Sequence, residues 1–390
     1  MPNHDIIVIG ASAGGIPALM HLCKGLPHDL PAAVFVVVHT SPRSPGMLPK
    51  LLDRAGALRA EYARDDAPIR HGTIYVAPPD HHLLLEEKRM RLGHGPRENG
   101  FRPAVDPLFR TAARTLGERV IGVILSGGLD DGSEGLLLVK QHGGLAVVQD
   151  PIDAPFSQMP QSAIMTVDVD HVVPVAEMAA LLVRLTYLPA EHGAPTAAAK
   201  RDLEENPVEP ALKGLSALVS QTHKGPPSGL TCPECGGALW ELQNGKLIKY
   251  SCHVGHTYSV HGLLASQDES LESALWTALR ALEESAELRR RMAARADRSR
   301  FSSVADTFKQ QAEEAEARAS QLRKLLIGPD ALGNGGAHSS GNGGKRSSGN
   351  GGAHSSGNGG ARSSGNGGAH RGSKAAARSK RRPKRAARST

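Results

Sequence analysis

Three chemistry-bearing side chains each follow an apolar run of the sequence. Ser12 comes directly after DIIVIGA, His39 follows AAVFVVV, and the pair Asp130 and Asp131 comes shortly after VIGVIL. The carboxyl ends of parallel strands meet at one edge of a sheet, so these groups are expected to lie together. A serine becomes nucleophilic when a histidine accepts its proton and a carboxylate orients that histidine. The pattern predicts a Ser–His–Asp site, with either aspartate as the third member.

The turn after the first apolar run favours a nucleophile over a phosphate. Gly10, Gly14 and Gly15 give the pattern G-x-x-x-G-G, which is neither the G-x-G-x-x-G of dinucleotide sites nor the loop of nucleoside triphosphatases. Ser12 stands where the second glycine of the dinucleotide pattern would be. A hydroxyl at a strand-to-helix turn is how many hydrolases expose a serine. The alternative is that the residues of this turn are small only because the chain packs tightly there.

A second cluster has the spacing of a metal site. Cys232-x2-Cys235 is followed after sixteen residues by Cys252-x3-His256. Two such knuckles predict tetrahedral Zn²⁺ held by three thiolates and one imidazole, with His253 as the less favoured fourth ligand. Four protein ligands leave no open coordination position. The predicted cofactor is therefore structural Zn²⁺, and none is predicted for catalysis.

The segment between the two knuckles is predicted to be a hairpin. Its apolar residues, Trp240, Leu242 and Tyr250, are expected to supply a small core for a zinc-ribbon-like unit. Such a unit is a candidate docking module for other proteins.

The elements that must position the Ser–His–Asp group are predicted to form an α/β fold. Apolar runs that predict strands span residues 6–9, 33–38, 73–76, 120–125 and 145–148. Helical patterns between several of them predict a doubly wound, mostly parallel, Rossmann-like sheet. A hairpin pattern over residues 83–92 predicts an antiparallel edge of the sheet. Aromatic residues make up only 3% of the chain, which suits a core of aliphatic strands between helices.

Composition separates the tail from the rest of the chain. The net charge of +7 arises from residues 331–390, which hold 12 of the 46 Lys and Arg residues and no acidic residue. That tail repeats an eight-residue Gly/Asn/Ser unit five times, a composition predicted to be disordered. It has no aromatic residue, so any contact with nucleic acid is expected to be nonspecific. The sequence shows neither a leader pattern nor a membrane-spanning run, and a cytoplasmic location is predicted.

The chain is predicted to have five parts. They are a catalytic domain at residues 1–188, a linker at 189–228, a zinc-ribbon-like module at 229–262, a helical hairpin at 266–328 and the disordered tail at 331–390. The hairpin is expected to start at Ser266, which stands at capping-box spacing from Glu269, and to break near residues 299–303.

Six sequence blocks together resemble a known family. GASAGG, VVVHTSP, GTIYVAPPDHHLLL, FRPAVDPLFRTAA, SGGLDDGSEGL and VVQDPIDAPFSQMPQSAI occur in the order found in the catalytic domain of chemotaxis protein-glutamate methylesterases, over about residues 3–188. The resemblance implies that Ser12 is the nucleophile, His39 the base and Asp131 the orienting carboxylate. It implies hydrolysis of γ-glutamyl methyl esters on chemoreceptors, with deamidation of glutamine as a related activity.

The sequence departs from the family pattern at three positions. Gly128 and Leu129 replace the Met-Gly of the family's T-G-M-G-x-D-G block, and Ala13 replaces a threonine. No segment resembling the family's receiver domain precedes the first strand, so regulation by phosphorylation within this chain is not expected. An alternative function is therefore a catalytically weakened binding module that recruits signalling partners through the zinc ribbon and the helical hairpin.

Other polar residues receive less specific expectations. His71, His81 and His82 are expected on turns or at the surface. Arg102 is expected either to contact an acidic receptor segment or to form an ordinary surface ion pair.

Overall fold

The computed structural model describes residues 3–190, 196–197, 199–200, 203, 225–244 and 247–327. Most of the linker predicted at residues 189–228 and the whole tail at residues 331–390 lie outside the described residues. Within the described ranges, no helix combines the length and the apolar character that crossing a bilayer requires.

A seven-stranded sheet forms the centre of the N-terminal region. The strands before residue 190 are β1 (Ile6–Ala11), β2 (Ala33–Val38), β3 (Arg59–Tyr62), β4 (Thr73–Val76), β5 (His82–Leu85), β6 (Met90–Gly93), β7 (Val120–Ile124), β8 (Leu145–Gln149) and β9 (His171–Val173). The sheet order is β3-β4-β2-β1-β7-β8-β9, and each neighbouring pair is parallel. The order reverses at β1, which creates a crevice at the carboxyl ends of β1 and its neighbours.

Helices cover both faces of this sheet. They are α1 (Gly15–Gly25), α2 (Leu48–Ala55), α3 (Val105–Leu116), α4 (Ser133–Gln141), α5 (Gln158–Thr166) and α6 (Val175–Thr186). Helices α1, α2 and α6 pack on one face, and α3, α4 and α5 pack on the other. The arrangement is a doubly wound α/β fold of the Rossmann-like type, as the alternating sequence pattern predicted.

The central strands are buried on both faces. In β1, Ile6 and Val8 enter the core beneath α3, while Ile7 and Ile9 enter the core beneath α1. Successive side chains of a strand point to opposite faces, so a run without alternation can fill two cores at once. This explains why the apolar runs predicted the central strands so closely.

The prediction of an antiparallel edge on the main sheet is wrong. Strands β5 and β6 do form an antiparallel hairpin, but they pair with each other as a separate two-stranded sheet. The hairpin packs on α3, where the Leu85 N–H donates a hydrogen bond to Thr111 Oγ1 at 3.0 Å. Leu83, Leu85 and Met90 enter the core beneath α3. Burial against this helix therefore holds the hairpin away from the sheet edge.

A small antiparallel sheet and two long helices follow. Strands β10 (Pro227–Thr231), β11 (Ala238–Asn244), β12 (Leu247–Cys252) and β13 (Thr257–Ser259) pair in chain order. They lead into α7 (Val260–Arg298) and α8 (Ser302–Ile327). Ion pairs that join Arg290 to Glu316 and Lys309 to Asp297 are consistent with the expected antiparallel helical hairpin.

The long helix starts earlier than the sequence predicted. It begins at Val260 rather than at Ser266, because Ser259 is the N-cap and its Oγ accepts a hydrogen bond from the Gly262 N–H at 2.9 Å. Gly262 in the first turn lowers the helix propensity of this segment, so the sequence did not indicate that the helix begins there. The break between the two helices falls at residues 299–301, inside the predicted interval.

The core of the small sheet also differs from the expectation. It is formed by Leu239, Tyr258 and Leu263 together with two of the cysteines, and Tyr250 packs only at its edge. Trp240 and Leu242 are half-buried. They share one face of β11, because side chains alternate along a strand, whereas Leu239 points to the other face, into the core.

Candidate functional site

The three predicted chemical groups meet at the carboxyl edge of the sheet. Ser12 follows β1 and His39 follows β2, and the pairing of Ala11 with Val38 places them side by side. Ser12 Oγ lies 3.1 Å from His39 Nδ1, and His39 Nε2 lies 2.7 Å from Asp131 Oδ2. The side chains of His39 and Asp131 are only 3% and 1% exposed, so the contact between them is screened from solvent.

Asp131 is surrounded by hydrogen-bond donors. Its Oδ2 accepts from His39 Nε2 and from the Val105 N–H, both at 2.7 Å. Its Oδ1 accepts from Asn99 Nδ2 at 3.0 Å and from the Asp106 N–H at 3.3 Å. Burial opposes ionisation, but these donors outweigh it and hold the pKa of Asp131 well below its ordinary range. Asp131 is therefore a carboxylate at neutral pH.

The ionised Asp131 fixes the tautomer of His39. A carboxylate only accepts hydrogen bonds, so the proton of a neutral imidazole must reside on Nε2. The lone pair on Nδ1 then faces Ser12 Oγ, which donates its proton to that nitrogen. Sequence reasoning placed the histidine but could not say which ring nitrogen faces the serine.

A second buried carboxyl lies beside Asp131. Burial and the negative charge of Asp131 raise the pKa of Asp106 well above its ordinary value. Asp106 Oδ2 accepts from Asn99 Nδ2 at 3.1 Å, and its Oδ1 accepts from the Gly135 N–H at 2.8 Å. The side-chain amide of Asn99 thus donates to both carboxyls. The negative charge resides on Asp131, which accepts more hydrogen bonds than Asp106.

The loop at residues 96–104, hereafter the 96–104 loop, supplies groups that the motif search missed. Phe101 stacks on the ring of His39, with ring centres 3.7 Å apart and planes inclined by 6°. His82, expected at the surface, is fully buried and holds both ends of this loop. Its Nε2 lies 3.0 Å from Pro96 O, and the Ala104 N–H donates to its Nδ1 at 3.3 Å. The expectation for His82 failed because β5 carries it into the interior.

The turn that carries Ser12 is held by a second serine. The Ser12 N–H donates to Ser126 O at 3.0 Å, and Ser126 Oγ donates to Ala13 O at 2.8 Å. Gly14 takes φ +72°, where a Cβ would come within 2.7 Å of Ser126 Oγ. Only glycine adopts this backbone without strain. The turn therefore requires glycine at position 14 and a small residue at position 126.

A pocket of about 790 Å³ opens above the serine. It is lined by Ser12, His39, Arg97, Phe101, Arg102 and, from α7, Glu269. Arg102 also pairs with Asp80 at 2.7 Å, which is the ordinary ion pair that the sequence offered as one of two roles. A wall of the pocket therefore comes from the C-terminal part of the chain, which the motif spacing gave no reason to expect.

The predicted metal ligands also come together. Single ligand atoms of Cys232, Cys235, Cys252 and His256 all lie within 4.8 Å of one another, and His253 is not part of this group. His256 Nδ1 lies 3.6 Å from Cys232 Sγ and 3.5 Å from Cys252 Sγ. Three sulfurs and one imidazole nitrogen at these separations fit a tetrahedral Zn²⁺ ion.

Loss of metal is the expected result of replacing two of these cysteines. The double substitution Cys232→Ser and Cys235→Ser removes half of the ligands, and we expect zinc to fall from about one ion per chain to near zero by elemental analysis. Cys23→Ala is the matched control, since Cys23 lies in α1 beneath the sheet. Equal zinc in the double variant and in the control would contradict the assignment.

The fold and this site define a class of protein. A serine, a histidine and a buried carboxylate are linked in that order at the switch point of a parallel α/β sheet, which is the constellation of serine hydrolases. Residues 7–182 match the family model described as CheB methylesterase.

Individual relatives agree with that match. A Leptospira interrogans protein, named as a candidate protein-glutamate methylesterase/protein-glutamine glutaminase, is 41% identical over 184 residues, which are 47% of this chain and 95% of that protein. An Anaeromyxobacter dehalogenans protein-glutamate methylesterase/protein-glutamine glutaminase 2 is 40% identical over 47% of this chain, a match that spans about half (53%) of the relative. The crystal structure of the Thermotoga maritima CheB methylesterase catalytic domain matches with 33% identity and a TM-score of 0.46, covering 46% of this chain and 98% of that one. Because the chain is 41% identical to the Leptospira interrogans protein over 95% of that protein's length, it belongs to the CheB methylesterase family.

Proposed function

We propose that this chain is a serine hydrolase that cleaves γ-glutamyl methyl esters on chemoreceptor-type proteins, with deamidation of glutamine side chains as a second activity. The observation that carries the proposal is the hydrogen-bonded path from Ser12 Oγ through His39 to Asp131. The names of the relatives, which give both activities, support the choice of substrate.

The proposed reaction begins with attack by Ser12 Oγ on the ester carbonyl carbon. His39 Nδ1 accepts the serine proton, and Asp131 stabilises the imidazolium through the hydrogen bond to Nε2. The tetrahedral intermediate collapses, and the proton on Nδ1 passes to the departing methoxide, which leaves as methanol. Water then attacks the acyl-enzyme with His39 again as base, which releases glutamate and restores Ser12.

The negative charge of the intermediate needs hydrogen-bond donors. We propose the N–H groups of Ala13 and Gly14, which directly follow the serine at the N-terminal end of α1. The hydrogen bond from Ser126 Oγ to Ala13 O orients the peptide between these residues. Carbonyl and N–H point in opposite directions across a trans peptide, so the Gly14 N–H points away from Ser126. A backbone N–H near Gly128 is a further candidate.

We assign the remaining parts of the chain as proposals. Residues 1–188 form the catalytic domain, and a linker leads from there to β10. The strands β10–β13, over residues 227–259, form a zinc-ribbon-like module with structural Zn²⁺, α7 and α8, over residues 260–327, form a helical hairpin, and residues 331–390 form the tail. The module and the hairpin are candidate contact sites for signalling partners. The cytoplasmic location remains a prediction from the sequence.

Release of methanol tests this proposal most directly. We expect the full chain to release methanol from a receptor fragment whose glutamates carry γ-methyl esters, measured by gas chromatography. Ammonia release from the same fragment with glutamine at those sites would report the second activity. The unmethylated glutamate fragment is the blank for both measurements.

The outcome separates the two candidate functions. Absence of methanol and ammonia from folded, zinc-loaded protein that still binds the fragment would contradict the hydrolase proposal and support the binding module. Leu129, which replaces the family's glycine and takes φ +62°, marks the region where such a weakened site would differ.

A further inference from the structure

The 96–104 loop contacts two members of the proposed triad. Asn99 Nδ2 donates to Asp131 Oδ1 at 3.0 Å, and Phe101 stacks on His39. Asn99 is only 4% exposed and takes φ +52°, a conformation that asparagine tolerates better than most residues. The position of this loop therefore influences both the charge and the orientation of the groups that activate Ser12.

The other side of the same loop is held by the C-terminal sheet. The Asn99 N–H donates to Thr257 O at 2.8 Å, and the Ser259 N–H donates to Asn99 Oδ1 at 2.8 Å. The Thr257 N–H donates to Arg97 O at 3.4 Å. The side-chain amide of Asn99 thus bridges two parts of the chain, because its oxygen accepts from β13 while its nitrogen donates to Asp131.

The strand that holds Asn99 is adjacent to the metal ligands. His256 directly precedes β13, and Cys252 ends β12, which pairs with β13. Tyr258, at the centre of β13, places its hydroxyl 3.5 Å from Cys232 Sγ. Few residues form the apolar core of this sheet, and units of this size generally depend on bound metal for their structure. Zinc binding is therefore expected to determine whether β13 keeps its position.

Two further contacts fasten the small sheet to the elements around Asp131. Ser259 Oγ donates to Asp130 Oδ1 at 2.6 Å, beside Asp131 in the chain. Lys249 on β12 forms a buried ion pair with Glu134 at the start of α4. Burial opposes the charge on Lys249, but nearby acidic groups, chiefly Glu134, raise the pKa of its amine. The small sheet therefore contacts the residues around Asp131 at two places, Asp130 and Glu134.

We propose that the metal-bound C-terminal sheet is a positioning element of the hydrolase site, and that Asn99 is the positioning residue that transmits metal binding to Asp131 and His39. This inference rests on the proposed function of the triad. Metal loss releases β13, Asn99 loses its acceptor contact with Ser259, and its donor to Asp131 is no longer held in place. The zinc then controls activity without touching substrate.

Two substitutions of Asn99 separate positioning from folding. Asn99→Asp keeps an oxygen for the Ser259 N–H but replaces the donor with a carboxylate facing Asp131, and Asn99→Gly keeps the positive φ and the backbone contact with Thr257. For both variants we expect labelling of Ser12 by a fluorophosphonate probe to slow by about 10- to 100-fold, with zinc content unchanged. Gln310→Leu, an amide replacement on the exposed surface of α8, is the matched control.

The pH profile of labelling supplies a readout that loss of folded protein alone would not change. The titratable and charged groups near Asp131 are His39 after β2, Asp106 on α3 and, beyond Asp106, Lys249 on β12 and Glu134 on α4. A carboxylate at position 99 raises the pKa of Asp131, and a protonated, neutral Asp131 no longer stabilises the imidazolium that His39 becomes when it accepts the serine proton. We expect the acid limb of the Asn99→Asp profile to move to higher pH.

Metal removal tests the coupling without reference to activity. In the Cys232→Ser, Cys235→Ser variant we expect faster amide hydrogen exchange in peptides that cover residues 96–104, with α6 peptides unchanged as the internal control. Unchanged exchange in the 96–104 loop would overturn the coupling, and unchanged labelling and pH profile in Asn99→Asp would overturn the role of Asn99. Wild-type protein that fails to label would instead overturn the proposed function, and the exchange measurement would still decide the coupling.

Discussion

The substitution Ser12→Ala is expected to abolish labelling by fluorophosphonate and to lower methanol release by about 10³-fold or more. Ser12 Oγ is the hydroxyl that lies 3.1 Å from His39 Nδ1, and alanine leaves that base with nothing to activate. The fold should be preserved, because the contact that anchors the turn comes from the Ser12 backbone N–H rather than from its side chain. The substitution is therefore expected to remove turnover while leaving the free energy of unfolding unchanged.

Mass spectrometry of the labelled peptide makes this test specific. Thr40 and Ser41 line the same pocket and could carry a background reaction. The label is expected on the peptide that contains Ser12, and Ser302→Ala, at the exposed start of α8, should label like the unaltered chain. A label that persists in Ser12→Ala, or that resides on another residue, would disprove the assignment of the nucleophile.

Asp131→Asn is expected to lower turnover by about 10⁴-fold, because an amide nitrogen facing His39 Nε2 cannot accept its proton and favours the wrong tautomer. The change also reduces stability. Asp131 accepts hydrogen bonds from His39, Val105, Asn99 and Asp106. Each donor left without an acceptor costs about 1–3 kcal/mol of the free energy of unfolding.

The pH dependence of that stability difference follows from the lowered pKa of Asp131. A carboxyl whose pKa is lower in the folded than in the unfolded chain stabilises the fold at pH values above its unfolded pKa of about 3.9, and this contribution is lost as the pH falls below that value. Denaturant unfolding should therefore show the largest difference between Asp131→Asn and the unaltered chain near pH 7, with a smaller one near pH 3.

An exposed aspartate provides the control for both measurements. Asp29→Asn changes the same chemical group at a position where the side chain is 69% exposed, and we expect turnover and unfolding to stay unchanged. Equal turnover in Asp131→Asn and Asp29→Asn would show that Asp131 does not orient the base.

Much of the N-terminal fold was predictable because its strands are buried on both faces. Continuous apolar runs such as IIVIGA and AVFVVV leave few alternatives to a covered parallel sheet. The short strands β3 and β9 were missed, because they lie at the sheet edges and have half-exposed residues that carry a weak apolar signal. The β5–β6 hairpin was predicted, but its packing on α3 was not, because that packing depends on contacts between residues far apart in the sequence.

The sequence by itself determined which groups reach the carboxyl edge of the sheet. Strand ends carry Ser12 and His39 to neighbouring positions whatever the rest of the chain does, and the cysteine spacing brought the metal ligands into one cluster. Local chemistry and strand direction suffice for both results. The choice of Asp131 over Asp130 came from family resemblance rather than from spacing.

Only the tertiary structure decided how these groups are held. The His39 nitrogen that faces Ser12, the stacking of Phe101 and the bridge through Asn99 to Ser259 depend on contacts between residues as far as 160 positions apart. No local pattern encodes such contacts, because they arise when separately formed elements pack and exclude water from the polar groups between them.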